Sequence, residues 1–159
     1  MAKVININID SRREIDQEIK KVCEEFTTEC ISAVIEPLST FMIKLSAVKD
    51  IKDDGNESLI DSKINKIVAQ FQEAAEERLK YVVRNLQDYI NDKKMEQILL
   101  KPIEVNVIEY YKSFYQMVTS NNNNNNNNNT KLQQPLENTL PSISSISEFI
   151  NNAINSNTV

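Results

Sequence analysis

The sequence predicts an all-α fold, an amphipathic helical bundle, and two observations carry that prediction. Apolar residues recur at steps of three and four along most of the chain, the spacing that lines one face of a helix. Gly occurs once, whereas sandwiches and barrels place Gly at many tight turns.

The elements follow in chain order. Residues 1–10 read as an irregular or extended lead-in, because residues 3–9 alternate apolar with polar from Ile5 onward in the manner of a short strand. Asp10 or Ser11 can cap a first helix. Its stripe is Ile15, Ile19, Val22, Cys23, Phe26, Cys30, Val34, Leu38, Phe41, Met42, Leu45 and Val48. Pro37 lies inside that stripe. It lacks an N–H and crowds the preceding turn, so a break near Ile35 and Glu36 is expected, giving helices over 11–35 and 37–50. A polar loop over 50–57 holds the single Gly55.

Ser58 with Asp61 forms a weakened capping box at the head of a long helix running to about Asn91. Its apolar face is Ile60, Ile64, Ile67, Phe71, Ala74, Ala75, Leu79, Val82, Leu86, Tyr89 and Ile90, and Glu73, Glu76, Glu77, Arg78, Lys80 and Arg84 form a solvated face. Asp92 can cap a short helix with Met95, Ile98, Leu99 and Leu100, and Pro102 suits the first position of another. That helix carries Ile103, Val107, Ile108, Tyr111, Phe114, Tyr115 and Val118. Its tyrosines and Phe114 read first as a core stripe with flanking rings, and second as anchors for a partner.

Asn121 to Asn129 form an unbroken Asn run that buries nothing apolar, so 121–141 is expected to be a disordered Asn-rich linker. A second capping box, Ser145 with Glu148, opens a terminal helix with Ile146, Phe149, Ile150, Ala153 and Ile154. The expected organisation is a lead-in over 1–10, a helical bundle over 11–120, the linker over 121–141 and a terminal helix over 142–159.

Composition narrows function. The chain carries 18 Lys and Arg against 23 Asp and Glu, a formal net charge of −5, so no basic field attracts nucleic acid or anionic lipid. His is absent, which removes Ser/His and Cys/His nucleophile systems. One Gly cannot build a Gly-rich phosphate cradle. Asp50, Asp53 and Asp54 lack the regular ligand spacing of a calcium loop. Cys23 and Cys30 lie two turns apart on one helix face, about 10 Å, too far for a disulfide within one helix. They read as small buried apolar groups. No catalytic, cofactor-binding or metal residue is assigned, and the chain is not expected to be an enzyme. No stretch approaches the ~18 apolar residues a spanning helix needs, so membrane contact is expected to be indirect.

Several blocks of residues resemble a known family. Cys23-Glu24-Glu25-Phe26 precedes Val34-Ile35-Glu36-Pro37-Leu38 and Leu45-Ser46-Ala47-Val48-Lys49. Ile98-Leu99-Leu100-Lys101-Pro102-Ile103 precedes Asn106-Val107-Ile108-Glu109. In this order they resemble the C-terminal portion of the subunit 3 family of the conserved oligomeric Golgi complex, a vesicle tether. The likeness covers roughly residues 20–120 and resumes weakly from Ser142 to Phe149. Family members are several times longer, and the Asn run falls where they have an acidic connecting loop. The resemblance implies the C-terminal end of a helical-rod tethering subunit. It also implies a peripheral protein on the cytoplasmic face of Golgi membranes and in the cytosol, acting in intra-Golgi retrograde vesicle transport. The partners implied are other subunits of the complex, with SNAREs, Rab GTPases and golgins as further contacts. Two readings stand beside it: a generic helical assembly or coiled-coil scaffold piece, and a truncated, non-functional copy of a tether subunit.

Overall fold

The computed structural model describes residues 2–47, 57–125 and 139–155, with side chains described over 10–47, 62–120 and 139–155. Four helices make up the described elements: α1 (Ala2–Ala47), α2 (Glu57–Tyr89), α3 (Lys93–Asn125) and α4 (Ile143–Asn155). The fold is all-α, as the 3–4 periodicity predicts. α1 packs against both α2 and α3, and α4 closes over α2 and α3.

Each helix supplies one stripe to a shared core. α1 gives Cys30, Val34 and Leu38, and α2 gives Ile64, Val68, Phe71, Ala75, Leu79, Val82, Val83 and Leu86. From α3 come Leu100, Ile103, Val107, Tyr111, Phe114 and Val118. From α4 come Ile146, Ile150, Ala153 and Ile154, with Leu140 packed in ahead of it. Val68 and Val83 are core residues that the expected α2 stripe omitted. Tyr89, which it included, is 87% exposed at the last residue of α2. A helix end leaves the bundle before its stripe runs out, so a periodic residue there has nothing to pack against.

The aromatic cluster on α3 belongs to the core. Tyr111 and Phe114 are fully buried, and Tyr110 and Tyr115 pack half-buried beside them. Tyr111 stacks on Phe71 of α2 with ring centroids 5.7 Å apart and planes 9° from parallel. Phe114 meets Phe41 of α1 edge-on at 5.9 Å and lies 6.2 Å from Tyr111. The Tyr111 hydroxyl donates to the Pro141 carbonyl at 2.5 Å, just ahead of α4. Burial, and then the neighbouring Tyr115, push the Tyr111 phenol well above its ordinary range. A neutral hydroxyl is the form that donates this hydrogen bond. Tyr111 thus touches the packing of α1 through Phe114, of α2 through Phe71, and the lead into α4.

Three local expectations differ from the structure. Residues 2–10 are the first turns of α1, not an irregular or extended lead-in. The alternating Ile and Asn have no partner strand among the described residues, so an extended backbone there leaves its polar groups unpaired. A helix already nucleated downstream satisfies them one residue at a time.

Pro37 and Pro102 lie inside α1 and α3 and end neither helix. An interior Pro costs ~3 kcal/mol by removing one hydrogen bond and crowding the previous turn. Val34 and Leu38 flank Pro37 with no exposed surface, and burying such side chains is worth ~1.5–3 kcal/mol each. Keeping one continuous stripe offsets the loss. Pro102 itself is exposed, and the carbonyl it frees belongs to Ile98, on an exposed turn open to water.

The first five residues of the Asn run, over 121–125, continue α3. At the other end of the expected linker, Leu140 is packed in the core and Pro141 accepts from Tyr111, so 139–141 are ordered into the bundle; residues 126–138 lie outside the described residues, as do Asp50, Asp53, Asp54 and Gly55 of the polar loop.

Helix starts follow simple capping chemistry. Asp92 caps α3, accepting from the Lys94 N–H through Oδ1 at 3.0 Å, while its carbonyl accepts from Glu96 N–H at 3.0 Å. α4 is capped three residues earlier than the Ser145 box proposes: Ser142 Oγ accepts from Ser145 N–H at 3.1 Å. α2 begins at Glu57, one residue ahead of the expected Ser58 cap.

Candidate protein-interaction surface

The α1 stripe has two fates. From Cys30 to Leu38 it faces α2 and α3 and is buried, and Phe41 and Met42 beyond lie half-buried against the core. Over residues 10–22 every side chain is exposed. Ile15, Ile19 and Val22 are 59%, 56% and 60% exposed, and Phe26 half-enters the bundle below them. The four are spaced by steps of four, three and four, the seam of a two-helix coiled coil. One flank of the seam carries Glu18, Glu25 and Glu29, all exposed. A facing helix with Lys or Arg along that edge fits the charge pattern.

Exposed Ile43 and Tyr81 stand singly, which is ordinary for a protein surface. Between Asp10 and Ala47, α1 is also long and apolar enough to cross a membrane by length and composition, with a hydropathy of 1.3 in its most apolar window. The sequence expectation of no such stretch is corrected on that count. Of that window 17% is buried: in α1 Cys30, Val34 and Leu38 are core, and Ile31, Ile35, Phe41 and Met42 lie half-buried against the core.

The groups with chemical potential are confined in structural roles. Cys23 and Cys30 are both free thiols, the first half-buried and the second buried. Burial pushes the Cys30 thiol up from 9.0 to about 11, with Arg78 pulling slightly back. A thiol so placed stays protonated near neutrality and is a poor nucleophile. Glu96 is the one buried charged residue among those described, and Gln87 Nε2 donates to its Oε1 at 3.4 Å. Among the described residues no group of three or more His, Cys, Asp or Glu is placed to hold a metal ion.

Residues 58–143, more than half of the chain, match the family model of the COG3 C-terminal cap domain. The chain belongs to that family. The cap-domain match covers α2, α3 and the lead into α4, and leaves α1 upstream of it. The curated relatives carry the name conserved oligomeric Golgi complex subunit 3. The human protein is 26% identical over 118 residues, which covers 69% of this chain and 14% of the relative. The Drosophila melanogaster protein is 24% identical over 127 residues, 70% of this chain and 14% of its own length. The Dictyostelium discoideum protein is 25% identical over 123 residues, 72% of this chain and 13% of its own length. The chain therefore spans about one-seventh of the length of the curated relatives it matches. No solved structure matches it.

The resemblance read from the blocks around Pro37 and Pro102 is thus borne out, and it points to the portion of subunit 3 that the cap domain names. Sequence reasoning listed Ile15, Ile19 and Val22 in the α1 stripe without separating them from the core half. The signal available was the change from four-three-four steps to steps of four after Phe26.

Proposed function

We propose that this cap is part of a subunit of a Golgi vesicle-tethering complex, acting in intra-Golgi retrograde vesicle transport by gripping other helices. In this reading it is a non-catalytic, peripheral protein on the cytoplasmic face of Golgi membranes and in the cytosol. Other subunits of the conserved oligomeric Golgi complex are its first partners, and SNAREs, Rab GTPases and golgins are further ones. The observation that carries the reading is the open half of α1. Ile15, Ile19 and Val22 form a coiled-coil seam with nothing against it among the described residues, on a helix whose other half anchors a packed bundle. The family membership and the names of the relatives supply the setting.

The experiment is affinity purification of the tagged chain from cells, with mass spectrometry of what accompanies it. Recovery of other subunits of the complex, lost in an Ile19→Asp/Val22→Asp variant of unchanged melting temperature, is the expected result. Those two positions are exposed, so their substitution leaves the core intact. The seam spacing also favours a self-assembling scaffold. Capture of only the chain itself, together with a concentration-dependent dimer in sedimentation, replaces the tether reading with that one.

A further inference from the structure

α3 carries a second apolar stripe, on the side turned away from the core. Met95, Ile98 and Val105 are 47%, 57% and 46% exposed, and Pro102 among them is exposed too. Their steps are three, four and three, the spacing of a coiled-coil seam. Lys94 and Lys101, both exposed and seven residues apart, follow one flank of this stripe, and Leu99 and Asn106 form the other. The open seam of α1 is its counterpart in charge. Glu18 and Glu25, also exposed and seven apart, follow one flank of Ile15, Ile19 and Val22.

On α1 the like charges Glu14 and Glu18, and again Glu25 and Glu29, stand four residues apart, a repulsive spacing. Arg13, Lys20 and Lys21 fall on the side of that helix away from the seam. Among the described residues no ion pair holds Glu18, Glu25 or Lys94. Three carboxylates lie near the lysines of α3. Glu96 is buried on the core side, and Asp92, on the flank opposite Lys94, caps the helix through Oδ1. Glu104 pairs with Lys101 at 3.5 Å and also accepts from Asn151 of α4. The Lys101 side chain is 70% exposed in that pair, so little holds it there.

We propose that the outer stripe of α3 receives the open half of α1 from a second copy of this chain, the two helices antiparallel. This rests on the reading of the α1 seam as a grip for helices and goes further: two copies cover each other's seams when no other helix holds them. The register selects the occupant. Setting Ile19 against Ile98 places Ile15 against Pro102 and Val22 against Met95. The same register brings Glu18 beside Lys101 and Glu25 beside Lys94, and carries Arg12 towards Glu109. Run parallel, the glutamates face Leu99 and Asn106 and lose the lysines. Two α1 seams fit each other less well. Antiparallel, their Glu18 and Glu25 rows face one another; parallel, Arg12 meets Arg12 and Glu29 meets Glu29. Made reciprocally about a two-fold axis, the α1–α3 contact closes a pair.

The test is a charge swap on the purified full chain, read by analytical ultracentrifugation over a range of concentrations. The native chain should form a dimer that weakens as salt is raised. Glu18→Lys/Glu25→Lys and Lys94→Glu/Lys101→Glu should each weaken it about tenfold or more, because attractive pairs become repulsive ones. An equimolar mixture of the two variants should restore it, since each then meets the opposite charge. Ile98→Ser should weaken the dimer with no change in its salt dependence. Melting temperatures check that every variant remains folded. A native chain that stays monomeric overturns the proposal, as does a mixture that fails to associate. A dimer lost in the α1 swap but indifferent to the α3 swap and to Ile98→Ser also overturns it, and assigns the contact to α1 alone. Recovery of other tether subunits from cells is a separate readout, which a monomeric chain leaves standing and which can fail with the charge swap intact.

Discussion

Removing the Phe71 ring is the sharpest probe of how the bundle holds together. Phe71 has no exposed surface and stacks on Tyr111, the residue that links the helices. Phe71→Ala forfeits the transfer energy of a large buried side chain and leaves a cavity, together ~3–5 kcal/mol. The lost ring pair, ~0.5–1.5 kcal/mol, favours the upper part of that range. For a chain of this size each kcal/mol lowers the melting temperature by roughly 2–4 °C, so the expected fall is roughly 6–20 °C. Phe26→Ala is the internal control. Phe26 is only half-buried at the mouth of the bundle, so its loss should cost clearly less. Urea unfolding followed by far-ultraviolet circular dichroism measures both. Equal losses for the two variants, or a Phe71→Ala loss below ~1 kcal/mol, would refute the hub built on Tyr111.

Alkaline pH should loosen the fold. The folded state holds the Cys30 proton up to about 11 where the thiol's ordinary value is 9.0, and Tyr111 shifts in the same direction. Native protein then binds more protons than unfolded chain, so this stability is complete below the ordinary value and is lost as pH rises through the folded one. The slope from the thiol is at most ~1.4 kcal/mol per pH unit. Melting temperatures across that window should fall more steeply for the native chain than for Cys30→Ala, and parallel curves reject the assignment. Tyr111→Phe removes the hydroxyl that bonds the Pro141 carbonyl, at a cost of about 0.5–1.5 kcal/mol, and hydrogen exchange should report faster opening of α4. Deleting Asn121 to Asn129 removes only residues beyond Val118, the last α3 core residue described, and shortens the connection to α4, so the melting temperature should be nearly unchanged, each halving of a connection altering closure entropy by only ~0.6 kcal/mol. A large fall there assigns the run a packed role.

Much of this architecture was legible in the residue order. The α2 and α3 stripes were readable because a 3.6-residue period and a buried face are the same fact seen twice. Phe71, Leu79, Val107 and Phe114 show it. The Asp92 cap was equally legible, being a local hydrogen bond. The prolines were misjudged because their penalty is local while the gain from an unbroken stripe around Val34 and Leu38 is tertiary. Residues 2–10 were misjudged for a related reason: alternation counts as strand only if another strand is there to receive it. The open seam at Ile15, Ile19 and Val22 was present in the pattern but inseparable from core until the bundle's edge was known.

The continuity of α1 through Pro37 has a mechanical consequence. Val22 and Leu38 lie on one helix, about 24 Å apart along its axis at the standard rise. Whatever seizes the protruding end therefore pulls on a stiff lever seated in the aromatic hub, not on a slack hinge. Tension or rotation applied outside reaches Phe41 and Phe114 directly. An inserted Gly-Gly pair at that point should uncouple grip from bundle while sparing each.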